Sequence, residues 1–481
     1  MSDLVLAGVR RPGEETLLDV VVDAGVVTAI LPAGSDVSGE RIPADGRVIV
    51  PGLWDEHVHF SQWAQANGRV DLSAATSAAE AAVIVGDAIA RGRREIIGAG
   101  FRDGLWPDAP DRPVLDAASG EVPVVLVSAD LHCVWLNSAA LRRHGFAEHP
   151  TGLLTEEDSF RVVRTLEDIG DEALDALIDD AGRAAAARGV VGIVDLEMRW
   201  NRDDWLRRRR GGFDALRVEF GIYTQHLDRA IADGMRTGDA LDELITVGPY
   251  KVITDGSLNT RTAWCFDPYV GQDVDPYGLS TVPPERLLPL VRLATENGLV
   301  PAVHAIGDRA NAAALDAFAE LGVGGRIEHA QLLRREDVVR FAELGITASV
   351  QPEHALDDRD VAELYWSGRT DRAFMLASLV DIGATLALGS DAPVAPLDPW
   401  VTIAAAVGRT RGDREPWHPE QSISREAALA ASSRGRRSVS VGDAADLVLV
   451  DADPLTVPLA ELREMPVAAT FLGGRATYSA L

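Results

Sequence analysis

The chain has 481 residues, 47% hydrophobic and 25% charged, the balance of a globular protein large enough for one big α/β domain and something smaller. A formal charge of −28 offers no basic stripe to neutralise phosphates, which argues against nucleic acid and against anionic membrane surfaces. Two cysteines, Cys133 and Cys265, give no disulfide framework and fit a reducing compartment.

The segment "MSDLVLAGVRRPGEE" shows no leader pattern, and no apolar run reaches the roughly 18 residues of a membrane helix, so a cytoplasmic protein is expected. The first 50 residues then read as short Val-rich strands, "DLVLAGVRR", "LLDVVVDAGVVTAIL" and "GRVIVPG", with a hairpin-like "DAG" in the second. The last 40 residues repeat that texture in "DAADLVLVDADP" and "PVAATFLGGRATY". Two β-rich ends around a different middle predict one small sheet domain assembled from residues 1–51 and 431–481.

Between them, residues 52–430 alternate short apolar runs with helical stretches. Eight strands are expected: "VIVPGLWDEHVHF", "VVGIVDLEM", "LRVEFGIYT", "YKVITDG", "LVPAVHAIGD", "GRIEHAQL", "ITASVQPEH" and "TLALGSDAP". Most neighbours lie roughly 20 to 35 residues apart, the length of one βα unit. In "DRANAAALDAFAELG", Ala314, Leu315, Phe318 and Leu321 make an apolar stripe at helical spacing, and Gly322 stops the helix. Eight such units predict a (β/α)8 TIM barrel. About 130 residues separate the strands near His59 and Ile193, far more than one unit, so a lobe is expected inserted after the first strand at about 65–185. The basic run "RRRRGG" reads as a solvated helix end.

"HVH" places His57 and His59 two apart, so on a regular strand both imidazoles face one side and reach one metal ion. His304, His329 and Asp391 each end a later candidate strand, and strand C-termini share the catalytic mouth of a barrel. Lys251 is the only lysine among 46 basic residues, and it lies in the fourth candidate strand. An ammonium there would be repelled by metal ions. A lysine carboxylated by CO2 would instead offer an anionic bridge, which a guanidinium cannot form because it stays protonated.

"PGLWDEHVHF", "YKVITDGSLNTRTA", "VHAIGDRAN", "RIEHAQLL", "GSDAPV" and "GDAADLVLVDADP" together resemble the metal-dependent amidohydrolase superfamily, and more narrowly its family 3 branch, over nearly the whole chain. The resemblance implies a terminal β-sandwich and a binuclear site with two divalent ions, taken as zinc. In such a site His57 and His59 hold one ion, carboxylated Lys251 bridges to a second held by His304 and His329, and Asp391 binds metal and shuttles protons. It also implies hydrolysis of a non-peptide amide bond, N-acyl or cyclic, in a small-molecule substrate. Ester or lactone hydrolysis, a one-metal deaminase and a non-catalytic binding protein are the alternatives, and a homo-oligomer is compatible with all of them.

Further candidates are weaker. His132 on the lobe, Arg261 in "LNTRTA" and His354 after the seventh strand are candidate substrate contacts, as is Arg102. Cys133 reads as a buried inert thiol rather than a third metal ligand.

Overall fold

The computed structural model describes residues 4–481 apart from 68, 102, 104, 105, 129–132, 168, 259 and 260. The chain divides into two compact units, Met1–Gln62 with Gly182–Leu481, and Trp63–Ala181.

In the first unit eight parallel strands form one sheet: β1 (Leu53–Val58), β2 (Val190–Asp195), β3 (Arg217–Tyr223), β4 (Ile245–Ile253), β5 (Pro301–Ala305), β6 (Gly325–His329), β7 (Ile346–Val350) and β8 (Thr385–Leu388). Each strand pairs with the next in chain order. The two ends of the sheet meet just beyond β8, where Val58 bridges Ala392 and His59 N donates to Ala392 O at 2.9 Å. The sheet is thus a nearly closed TIM-type barrel, and its strands fall in the eight segments named from sequence. The helix Asp308–Leu321 buries Ala314, Leu315 and Phe318 and ends at Gly322, whose φ of +63° is the left-handed cap glycine favours.

The first of those eight segments proves to be two strands. Val48–Pro51 pairs antiparallel with Leu447–Val450 in another sheet, and the chain crosses into β1 at Gly52. A Cβ there would sit 2.5 Å from Val191 Cγ2, so glycine is what allows the change of sheet.

The chain ends supply two four-stranded sheets. One runs in the order Val26–Pro32, Leu18–Asp23, Leu4–Val9, Glu40–Pro43, the other Arg475–Ser479, Val467–Leu472, Leu447–Val450, Val48–Pro51. One apolar cluster draws on both, including Leu6, Val20, Val27, Leu447, Leu449 and Phe471. The "DAG" turn is a tight hairpin with Ala24 and Gly25 at φ 48° and 76°. Glu40–Pro43, a polar four-residue stretch without periodicity, becomes a strand only through its parallel pairing with Leu4–Val9.

The second unit has a five-stranded sheet in the order Leu153–Thr155, Cys133–Leu136, Val124–Ser128, Ile96–Phe101, Val70–Asp71. Val124 and Leu126 join one apolar cluster while Val125 and Val127 join another, so the central strand is covered on both faces and reads as an unbroken apolar run. Cys133 is half-buried at the start of its strand, and both cysteines are free thiols. No described helix is long and apolar enough to cross a membrane.

Candidate metal centre

Barrel closure assembles the site. Asp391 N donates to His57 O at 2.7 Å, which brings the segment after β8 against the end of β1. Gly389 makes the approach possible, since a Cβ there would lie 2.7 Å from His57 N. Asp391 Oδ1 then stands 3.5 Å from His57 Nε2 and 3.4 Å from His59 Nε2.

The geometry of β1 differs from the regular strand expected for "HVH". Ile193 pairs with Asp55 and Asp195 with Val58, so β1 carries one extra residue in this interval. Such a bulge re-aims side chains. Asp55 Oδ1 fixes it by accepting from His57 N at 3.1 Å and from Ser390 N at 3.0 Å. His59 lies just past the strand, and both rings reach Asp391 because of the bulge and the turn.

His329 ends β6 with φ +77°, and Asp391 has φ +57°. Both are left-handed conformations costly for side-chain-bearing residues, and such strain concentrates at functional sites. The His329 ring lies 4.9 Å from that of His57, 4.5 Å from His304 and 6.4 Å from His354, centroid to centroid. His57, His59 and Asp391 form one group with donor atoms within 4.8 Å of one another; His329, His354 and Asp391 form a second. The family resemblance implies His304 as the partner of His329 in ion binding, and the sequence makes His354 a candidate substrate contact. His304 lines the same cavity, but His354 is the ring drawn into the tight grouping.

Lys251 is 2% exposed on β4 and opens on this cavity. Burial pushes its ammonium down to about 8, against the attraction of the Glu328 and Asp391 carboxylates. Burial, followed by the Lys251 charge, pushes His57 down to about 4, and burial pushes His304 down to about 3. Burial opposes ionisation of Asp391, yet the facing imidazoles of His57, His59 and His329 hold its carboxyl well below the usual range.

These residues fit divalent metal ions. Neutral imidazole and ionised carboxylate are the forms that bind metal. His57 Nδ1 is tied to Glu328 Oε2 at 2.7 Å and His329 Nδ1 to Gln351 Oε1 at 2.8 Å, which leaves each Nε2 for a ligand. His59 Nδ1 and His354 Nε2 are buried without a hydrogen bond among the described residues, while His304 Nε2 has Asp255 Oδ1 3.4 Å away. Orphaned buried nitrogens on one cavity point to a missing partner.

The cavity holds about 750 Å³. Tyr223, Ile253, Leu258 and Ile306 contribute to its wall, with Asp357 and Asp358 on the helix Pro352–Tyr365. Lys251 and the imidazoles are the only basic groups among the described residues that line it. Arg261 is not among them, and its guanidinium lies over the Tyr365 ring at 5.1 Å. His132 and Arg102 lie outside the described residues. The side chains that sequence reasoning did not single out are Asp55, Glu328 and Gln351; charged or amide residues on barrel strands were the available signal.

A parallel barrel whose strand ends converge histidines and an aspartate defines a metal-dependent hydrolase of the amidohydrolase type. The profile of the amidohydrolase family matches residues 40–478, and the chain belongs to that family. It is 31% identical over 490 residues to Protein LONG AFTER FAR-RED 3 of Arabidopsis thaliana, covering 91% of this chain and 83% of the plant protein. It is 25% identical over 542 residues to the N-substituted formamide deformylase of Arthrobacter pascens, covering 99% and 98%. Among solved structures, an uncharacterized metal-dependent hydrolase from Pyrococcus furiosus superposes with a TM-score of 0.76 at 25% identity, covering 94% of this chain and all of the other.

Proposed function

We propose that this chain hydrolyses an amide-type C–N bond, outside peptides, in a neutral small-molecule substrate. The observation that carries the proposal is the convergence of His57, His59, His329, His354 and Asp391 on one cavity that the buried Lys251 also lines. His57 and His59 would hold one divalent ion and His329, with His304 or His354, a second; Lys251, once carboxylated by CO2, would add an anionic oxygen donor beside them, and zinc would suit this donor set. Such ions supply Lewis acidity and lower the pKa of a bound water toward neutrality.

Asp391 is poised to take the proton of the attacking water and return it to the leaving nitrogen, because its carboxyl stays ionised beside the imidazoles. The apolar wall of Ile253, Leu258 and Ile306 excludes bulk water and receives the substituents of the amide. Similarity to a formamide deformylase supports the amide bond as target, and the absence of arginine from the described lining supports a substrate without a carboxylate. The two terminal sheets, with their shared apolar cluster, are assigned as one composite β-sandwich of residues 1–51 and 431–481. A cytoplasmic location accords with the two free thiols.

The test is metal quantification combined with a screen of N-substituted amides, cyclic amides and esters, on wild type and Lys251→Arg. Bound metal with amide turnover, both lost in the variant, is the expected result. A variant that keeps metal and activity would remove Lys251 from the site, and turnover of esters alone would reassign the bond.

A further inference from the structure

A column of charge runs through the barrel interior beneath the candidate metal centre. His57 Nδ1 meets Glu328 Oε2 at 2.7 Å, and Glu328 Oε1 accepts from Arg326 Nε at 3.0 Å. Arg326 Nη1 donates to Glu56 Oε2 at 2.8 Å, while Arg326 Nη2 donates to Glu56 O at 2.8 Å and to Ser349 Oγ at 3.1 Å. Glu56 Oε1 accepts from Arg434 Nε at 2.9 Å, and Arg434 Nη1 donates to Glu219 Oε1 at 2.5 Å. Glu328 is fully buried and the Glu56 side chain is 5% exposed.

Such a column is an unusual filling for a barrel interior, where branched apolar side chains dominate. Replacing buried ion pairs with apolar residues of similar volume is often neutral or stabilising, so stability alone gives no reason for it. Its geometry does give one. Four of the five N–H donors of Arg326 are engaged, so the guanidinium cannot turn, and its Nε fixes one oxygen of Glu328. The other oxygen is thereby aimed at His57 Nδ1. A carboxylate can only accept, so Nδ1 must carry the proton and Nε2 must present its lone pair to the side where Asp391 stands. The bulge in β1 serves this arrangement, since consecutive residues Glu56 and His57 both reach the Arg326–Glu328 pair. On a regular strand they would face opposite sides.

We propose that Glu328, clamped by Arg326 and Glu56, is the positioning residue that holds His57 as the Nδ1–H tautomer with Nε2 turned into the metal centre. This role rests on the metal-site reading for its purpose, but the tautomer itself does not require metal.

The experiment therefore has two arms. In metal-free protein labelled with 15N-histidine, with the His57 signal identified by its loss in His57→Gln, wild type is expected to show Nδ1 protonated and Nε2 bare. Glu328→Leu is expected to shift the ring toward the Nε2–H form, whereas Glu328→Gln, which retains an acceptor, stays close to wild type. In the second arm, chelator competition for Zn²⁺ should show affinity falling about 10- to 100-fold in Glu328→Leu, less in Glu328→Gln, and falling also in Arg326→Met. Circular dichroism establishes which variants fold, and the wild-type spectrum decides the tautomer even if Glu328→Leu does not. An Nε2–H tautomer in wild type overturns the proposal. So does equal loss in the Leu and Gln variants, which would mean that charge or packing acts rather than the hydrogen bond. Wild type that binds no zinc but shows the Nδ1–H ring would refute the metal reading and leave the orientation standing.

Discussion

The backbone of Asp391 is hydrogen-bonded to that of His57 at 2.7 Å, which sets Asp391 Oδ1 3.5 Å from His57 Nε2. One closure of the barrel thus sets both the candidate proton shuttle and the first imidazole. Gly389, two residues before Asp391, is the point of closest approach. Gly389→Ala should force the two segments apart and cost about 1–3 kcal/mol by overpacking. Denaturant unfolding would measure that loss, and the variant should also bind metal more weakly.

Asp391→Asn keeps the size of the side chain and removes its basicity. Turnover should fall by about 10²–10⁴-fold, the range for loss of a positioned acid–base group. Steady-state assay on an amide found in the substrate screen checks this. Unchanged turnover would assign the proton transfer to another group.

Lys251 should respond to pH in two ways. Burial brings its ammonium down to about 8 from an ordinary 10.5, so the amine becomes neutral as pH rises through 8. Only the neutral amine adds CO2, so a ¹³C-carbamate signal from labelled bicarbonate should grow between pH 7 and 9. In metal-free, CO2-free protein the unfolded chain retains this proton up to about 10.5 while the folded chain has released it. The unfolded state therefore binds more protons between those values, and this group makes stability rise with pH across that window. Lys251→Met should flatten that part of the stability–pH curve.

Removal of metal should lower thermal stability as well as activity. Binding only to the folded state adds about 2.7 kcal/mol when free metal is 100 times its Kd. Melting after dialysis against chelator should show a lower midpoint that zinc restores. No change in midpoint would mean that no metal is bound tightly.

Substrate charge offers a direct test of the cavity wall. The wall carries Asp358 and Asp357, the latter paired with Arg411 at 2.8 Å, so a neutral amide should be turned over at least about tenfold faster than its carboxylate-bearing analogue. The ratio of kcat/KM values measures this, and a preference for the anion would show that a cation outside the described lining reaches the substrate.

The barrel was legible because each strand is a short apolar run ending in a polar signature, and the helices between them keep their own period. Lys251 stood out by composition, and His57, His59, His304, His329 and Asp391 by falling at strand ends. Less was legible where one residue changes the geometry. "VIVPGLWDEHVHF" looks like a single strand, yet Gly52 moves the chain between sheets and the bulge at Glu56–His57 turns neighbouring side chains the same way. Glu40–Pro43 is a strand only through a partner more than thirty residues away.

The sequence by itself determined the eight-strand barrel, the family and the residue types gathered at the mouth, because periodicity and motif are local properties of the chain. Only the tertiary structure decided that His354 joins His329 and Asp391, that Arg261 lies over Tyr365, and that Glu328 aims His57. Those are contacts between residues tens to hundreds of positions apart, and their geometry is set by how the barrel closes.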